Sequence, residues 1–293
     1  MNIAAVTMVW NDDWFLRRWI GYYGPLIGEE NLYVVSHGPN PGLDAIVGAA
    51  NVIVVPRDPA DLQFDRRRWG FLSSYASALT HYHDAVICLD VDELLVPARA
   101  GLSFEEAFAR MEGNATRCVP GFELFPASEQ ADSVDAAERI APHMAGAQFS
   151  PFYSKSGIIF RPVEFFPGAH GMIGEKPELS TDLALMHLRY ANLRELERRN
   201  AVREGIASDA IEDWSEFNNQ GRPFATWRRA DQRTRQAFRA FDRSRQIGWD
   251  DMVSTVSGEL ERLRIRRGKV HKFLTRKYEP LRAPLPEWMM TCF

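Results

Sequence analysis

The first ninety residues sort into short buried runs and longer amphipathic stretches. Ile3–Val9 (IAAVTMV) is an apolar run of strand length. Asn11, Asp12 and Asp13 then offer capping side chains to a helix over Trp14–Tyr23 (WFLRRWIGYY), which Gly24, Pro25 and Gly28 are expected to end. Asn31–Val35 (NLYVV) reads as a second strand, SHGPNPG (36–42) as a loop, and Asn51–Val55 (NVIVV) as a third strand after a short helix. A helix over Arg66–Tyr82 leads to a fourth strand, Ala85–Leu89. Strands alternating with helices at this pitch predict βαβ units, hence an α/β fold built on a mostly parallel, doubly wound sheet. In such sheets ligands bind beyond the carboxyl ends of the strands.

Beyond Pro97 the pattern loosens. Phe104–Met111 reads as helix, Arg117–Phe125 as strand, and Ser128–Ala147 as a long loop with one helical turn. Ser156–Arg161 and Asp182–Leu188 are further strands, and from Leu193 onward arginine-rich helices are expected at about 193–204, 208–218, 224–246 and 250–266. The boundary near residue 190 separates an expected nucleotide-binding unit (1–190) from a basic helical region (191–293). Charge divides at the same place. Residues 1–188 carry 13 Lys and Arg against 24 Asp and Glu, whereas residues 189–293 carry 22 against 15, within a net charge of −4 for all 293 residues. Such asymmetry suggests two different tasks.

Composition narrows the class. Hydrophobic residues make up 45% and charged residues 25%, an ordinary globular balance. No apolar run approaches the roughly 18 residues that span a bilayer, and MNIAAVTMVWNDDW lacks the basic and small-residue marks of a signal peptide. Cys88, Cys118 and Cys292 have no paired metal spacing, so buried or free thiols and a cytoplasmic location are expected.

The chemistry gathers at VICLDVDELLVP (86–97), where an apolar strand runs into Asp90, Asp92 and Glu93. Carboxylates so close repel one another unless something positive sits among them. In an extended strand Asp90 and Asp92 project to one side, about 7 Å apart at Cα. A hard divalent cation, Mg²⁺ or Mn²⁺, would answer the repulsion and share its open positions with phosphates.

This element, together with VTMVWNDDWFLRRWIGYY, GFELFP (121–126), SKSGIIFRP (154–162), GAHG (168–171) and MHLRYANLRELERR (186–199), resembles the glycosyltransferase family 2-like group of GT-A fold over residues 3–200. The resemblance implies a Rossmann-like sheet flanked by helices, followed here by a helical C-terminal extension. It also implies transfer of a sugar from a UDP- or GDP-linked donor, with inversion, to a saccharide or lipid-linked acceptor. Asp92 is then a metal ligand and Asp90 a ligand or ribose contact, with Glu93 behind them. A late histidine completes the metal sphere, either His187 or His170. Arg66, Arg68 and Lys155 are candidates for the diphosphate. Trp10, Asn11 and Asp12 are candidates for the nucleotide base, although Asn11 or Asp12 would also cap a helix. The chain departs from the family where an aspartate usually follows the second strand: SHGPNPGLD leaves Ser36, His37 and Asp44. A carboxylate must take the acceptor proton, and Glu123 and Glu175 are both available.

The helix in TWRRADQRTRQAFRAFDRSRQ (226–246) suits packing on the acidic first region or peripheral contact with an anionic membrane. No motif supports nucleic-acid binding. Two other readings remain. A degenerate GT-A domain would bind without turnover. A Mg²⁺-dependent Asp-x-Asp phosphatase would want Thr or Val where Leu94 stands, and its motif nearer the chain start.

Overall fold

The computed structural model describes residues 1–58, 61, 63–111, 113, 115–127, 134–209, 222–240, 245–275, 278 and 280–293. Its main sheet contains β1 (Ile3–Val9), β2 (Leu32–His37), β3 (Asn51–Val55), β4 (Ala85–Cys88), β6 (Arg117–Cys118), β9 (Ile158–Ile159) and β12 (Glu178–Leu179), in the order β12-β6-β9-β4-β1-β2-β3. The β4-β1-β2-β3 half is parallel throughout, and only β9 runs against its neighbours. The fold is mixed α/β with a largely parallel sheet flanked by helices.

Strand β1 shows why. All seven of its residues are buried, as a central parallel strand requires when both faces are covered. Ile3, Ala5 and Val9 face a core that also takes Phe15, Leu16, Trp19 and Tyr23 of α1 (Asp13–Ile27). Ala4, Val6 and Met8 face the opposite core, with Trp69, Leu72 and Ala76 of α3 (Phe64–Leu79). Helix α1 outruns its expected end. Pro25 lies in its last turn, where it forgoes one N–H bond to the turn before without ending the helix, and termination falls to Gly28 at φ 87°.

A second sheet, β16-β8-β7-β13-β5, is built from β5 (Glu93–Pro97), β7 (Gly121–Pro126), β8 (Met144–Phe149), β13 (Leu183–His187) and β16 (Arg282–Ala283). Strand β8 lies where a loop was expected, and the single strand expected over 117–125 is two strands in different sheets. A small antiparallel sheet joins β10 (Glu164–Phe165), β11 (Gly171–Ile173), β14 (Arg264–Arg267) and β15 (Val270–Phe273).

The short helices α2 (Asp44–Val47) and α4 (Phe104–Ala109) follow β2 and β5, and after β13 come α5 (Leu193–Asp209), α6 (Arg222–Arg239) and α7 (Trp249–Leu263). The all-helical expectation for this region is corrected: β14, β15 and β16 follow, because Arg264–Arg267 pairs with Val270–Phe273 across a tight turn at Gly268, φ 60°. These strands complete sheets begun much earlier in the chain. Helix α7 buries Trp249, Met252, Val256 and Leu260 in the main core, and Trp249 Nε1 donates to the Ala98 carbonyl at 2.9 Å. The segments 210–221 and 241–244, within two of the expected helices, lie outside the described residues. Among the described residues no helix is long and apolar enough to cross a membrane.

Candidate active site

Asp90, Val91 and Asp92 are not an extended strand end. They form the turn that passes the chain from β4, in the main sheet, to β5, in the second. The Glu93 N–H donates to the Asp90 carbonyl at 3.1 Å, and the Asp90 N–H donates back to Glu93 Oε2 at 3.1 Å. The expected shared face of the two aspartates is therefore corrected: they sit on a tight turn and take different partners.

Register supplies those partners. Strand β9 pairs antiparallel with β4, Val86 opposite Ile159 and Ile87 opposite Ile158. Continued past the strands, this register sets Lys155 opposite Asp90. Lys155 Nζ lies 2.5 Å from Asp90 Oδ2 and 2.7 Å from Glu93 Oε1, with the lysine only 1% exposed. Arg68, from α3, donates to the other Asp90 oxygen. In the second sheet β13 lies between β7 and β5, with His187 directly opposite both Glu123 and Glu93. One register further, Gln148 on β8 pairs with Glu123, and Arg282 on β16 pairs with Gln148. A buried polar row, Arg282–Gln148–Glu123–His187–Glu93, thus crosses all five strands on one face.

Within that row His187 Nδ1 bonds Glu123 Oε1 at 3.0 Å, while Nε2 faces Asp92 Oδ2 at 3.6 Å. The Tyr153 ring stacks on the imidazole at 3.7 Å between centroids. Asp92 Oδ2 also receives Arg199 Nη1 from α5 at 2.6 Å, and Arg199 Nε reaches Asp12 Oδ1 at 3.1 Å. Asp12 does not cap α1 with its side chain. It turns to Arg199 instead, and Asn11 takes a left-handed φ of 54° while its carbonyl accepts from Arg198 at 2.5 Å.

Electrostatics follow from these contacts. Burial raises the carboxyl of Asp90, but Arg68 and Lys155 outweigh it and hold the group well below the usual range. Burial is likewise outweighed at Asp92, by Arg199 and His187. Glu93, wholly enclosed, is pushed up to about 7, with Lys155 opposing the rise. Burial acts to lower His187, yet Glu123 and Asp92 raise it to about 9. His170 is driven down to about 3, chiefly by burial.

These groups open on a cleft of about 1540 Å³ at the carboxyl ends of β1 and β4. Trp10, Asn11, Asp12, Arg66 and Arg68 line it, as do Asp90, Asp92, Glu123, Lys155, His170 and His187. Two expected site residues lie apart. The Ser36 hydroxyl, fully buried, donates to the Gly38 carbonyl. Glu175 is bound to Thr116 and Arg161 beside a separate, shallower hollow. Glu123, by contrast, lines the cleft, and its Oε2 is buried without a hydrogen-bond partner.

Residues outside the expected set also line the cleft, among them His37, Arg57, Phe64 and Arg199. The Arg57 guanidinium lies 3.6 Å from the centre of the Trp10 ring, and His37 stacks on Phe64 at 4.7 Å. Of these, His37 ends β2 where the family aspartate is missing and Arg199 closes the MHLRYANLRELERR series, but neither carried an expected role.

Among the described residues no group of three or more His, Cys, Asp or Glu could hold a metal ion. The pair Asp92 and His187 does fit one. An oxygen and a nitrogen face each other 3.6 Å apart, and the far ring nitrogen is oriented by the Glu123 carboxylate, the usual setting of a ligating imidazole. Asp90 and His170 are not part of that pair: Asp90 is committed to Arg68 and Lys155, and His170 packs on the Phe152 ring.

Fold and cleft together define an α/β protein with a polar site at the carboxyl edge of its parallel strands. No protein-family model matches the chain, and no curated protein does. Among solved structures it is similar to the mannose-1-phosphate geranyltransferase from Thermus thermophilus, at 12% identity and a TM-score of 0.28. That match covers 73% of this chain and 65% of the other, so the chain spans less than two thirds of that protein's length. A likeness this distant says nothing of chemistry, and the family resemblance rests on the motif series alone.

Proposed function

We propose that the chain is a glycosyltransferase that moves a sugar from a nucleotide-linked donor to an acceptor hydroxyl. The observation that carries this reading is the Glu123 carboxylate. One oxygen is fixed by His187 and the other is unpartnered, in the same cleft as the Asp90–Asp92 turn. At about 1540 Å³ the cleft exceeds the usual 300–1,000 Å³ of a single-ligand pocket, which suits a donor beside an acceptor.

The roles divide along the cleft. The Trp10–Arg57 and His37–Phe64 pairs offer aromatic faces to a nucleobase, and Arg66, Arg68 and Lys155 offer charge to a diphosphate. Tyr153 and Tyr278, with Gln148, also line the cleft and suit a saccharide that stacks and hydrogen-bonds. Glu123 Oε2 takes the acceptor proton as the acceptor oxygen bonds to the anomeric carbon. The bond from that carbon to the diphosphate breaks on the opposite face, and its electron pair leaves with the nucleoside diphosphate. The configuration inverts. Asp92 and His187 would hold Mn²⁺ or Mg²⁺, which supplies positive charge to the departing diphosphate.

Isothermal titration with UDP and GDP, each with and without Mn²⁺, tests binding. A panel of nucleotide sugars scored for donor consumption tests turnover. The expected result is metal-enhanced binding of one nucleotide, with Glu123→Gln leaving that binding intact while cutting turnover by about 10²-fold or more. Absence of binding to either nucleotide with any divalent ion would refute the reading. Binding without turnover on any donor would mark a non-catalytic module.

A further inference from the structure

We propose that Arg199 is a donor-site cation with two successive partners: the Asp12–Asp92 pair before the donor arrives, and the donor's diphosphate once a divalent ion has taken Asp92. The inference rests on the donor reading above and adds a residue from the basic helical region to the site.

Arg199 projects from α5 into the cleft and bridges two carboxylates that lie 80 positions apart in sequence. Its guanidinium spans Asp12 and Asp92, and its flat face lies 4.5 Å from the centre of the Phe15 ring. That ring gives the group a fixed apolar wall, so motion is directed along the cleft. Arginine suits both tasks because its planar fork grips a carboxylate or a phosphate in the same geometry.

Charge balance supplies the sequence of events. Asp12, Asp90 and Asp92 already face Arg68, Lys155, Arg198 and Arg199. A bare divalent ion would have to displace Arg199 from Asp92, leaving the guanidinium on Asp12 alone and adding positive charge with no new anion to meet it. A metal ion that brings a diphosphate carries the replacement anion with it. The chain therefore favours the metal–diphosphate pair over either alone, and Arg199 exchanges one anion for the other.

The test compares wild type, Arg199→Gln and Arg199→Lys by isothermal titration with Mn²⁺ alone and with UDP or GDP in saturating Mn²⁺. Thermal unfolding verifies that each variant is folded. For Arg199→Gln the two affinities are expected to move in opposite directions. Mn²⁺ alone binds about tenfold tighter, because its tethered competitor is gone, and the nucleotide binds about tenfold weaker, because a charge-assisted contact is lost. Arg199→Lys keeps the charge without the fork and falls between. A merely structural arginine would weaken both affinities together, and that result, or an unchanged Mn²⁺ affinity, overturns the proposal. Failure of the wild type to bind either nucleotide refutes the donor reading itself and this inference with it.

Discussion

Replacing Lys155 with methionine isolates the energetics of the carboxylate turn. The side chain is enclosed, with Nζ 2.5 Å from Asp90 and 2.7 Å from Glu93. Methionine keeps most of its volume, so the change removes charge more than packing. Removing one partner of a buried ion pair costs about 3–5 kcal/mol. Two features place this case near the low end. Arg68 remains on Asp90, and Glu93, already raised to about 7, can take a proton when its cation is gone. The deficit is therefore about 3 kcal/mol at pH 8. The sign of its pH dependence follows. Below about pH 6 Glu93 is protonated in the wild type too, so Lys155 then serves Asp90 alone and its removal costs less. Urea unfolding of metal-free protein at pH 5 and pH 8, read by circular dichroism, measures both values. Adding Glu93→Gln should recover more than about 1 kcal/mol at pH 8, since the two residues are coupled. A Lys155→Met protein within about 1 kcal/mol of wild type at both pH values would refute this account. So would a larger deficit at pH 5.

His187, raised to about 9 from an ordinary 6.5, contributes stability that is fully present below pH 6.5 and is lost as pH rises through about 9. In metal-free protein His187→Gln should cost roughly 3 kcal/mol at pH 6 and nothing beyond the lost packing at pH 10; a pH-independent difference would contradict the charged row. Gly121 opens β7 where an added Cβ would overlap the Tyr153 backbone. Gly121→Ala should lower stability by about 1–3 kcal/mol and disturb the Tyr153–His187 stack, and an unchanged unfolding midpoint would refute the close approach. Phe238 stacks on Phe125 with centroids 3.8 Å apart and lies beneath the Arg282 guanidinium. Phe238→Ala should loosen α6, read as faster proteolysis within Arg222–Arg239 at little change in α7 protection; equal protection throughout would show that α6 is held otherwise.

Much of the main sheet was legible because its signals are local. The runs IAAVTMV, NVIVV and AVIC are apolar stretches of strand length, and the helices between them announce themselves by period. What was not legible depends on pairing at a distance. Strand β8 reads as loop because MAGAQF is rich in small residues and carries a glutamine, and its order comes from β7 and β16 on either side. Strand β14 begins inside the expected helix over 250–266, where the alternation of Leu263 and Ile265 with arginines follows directly on the helical period before it, and β15 comes after it without a signal of its own. Their partners are each other and β11, some hundred residues earlier.

The site divides along the same line. That three acids at a strand end need a positive counterpart was visible in DVDE itself. Which counterpart was not, because Lys155 stands 65 residues from Asp90, and Arg199 stands 107 residues from Asp92. Local pattern offered a divalent ion as the whole answer. In the structure the chain's own cations neutralise the turn, and the metal of the proposed function is left the gap between Asp92 and His187. This changes what an Asp-x-Asp motif means here. Asp90 acts as the anchor that holds Lys155 and Arg68 at the cleft wall, so Asp90→Asn should weaken nucleotide binding by loosening those two cations. Asp92→Asn should act through the metal. Mn²⁺ titration separates them: the first variant keeps its Mn²⁺ affinity and the second loses it. Equal losses in both would mean that the two aspartates share one ion after all.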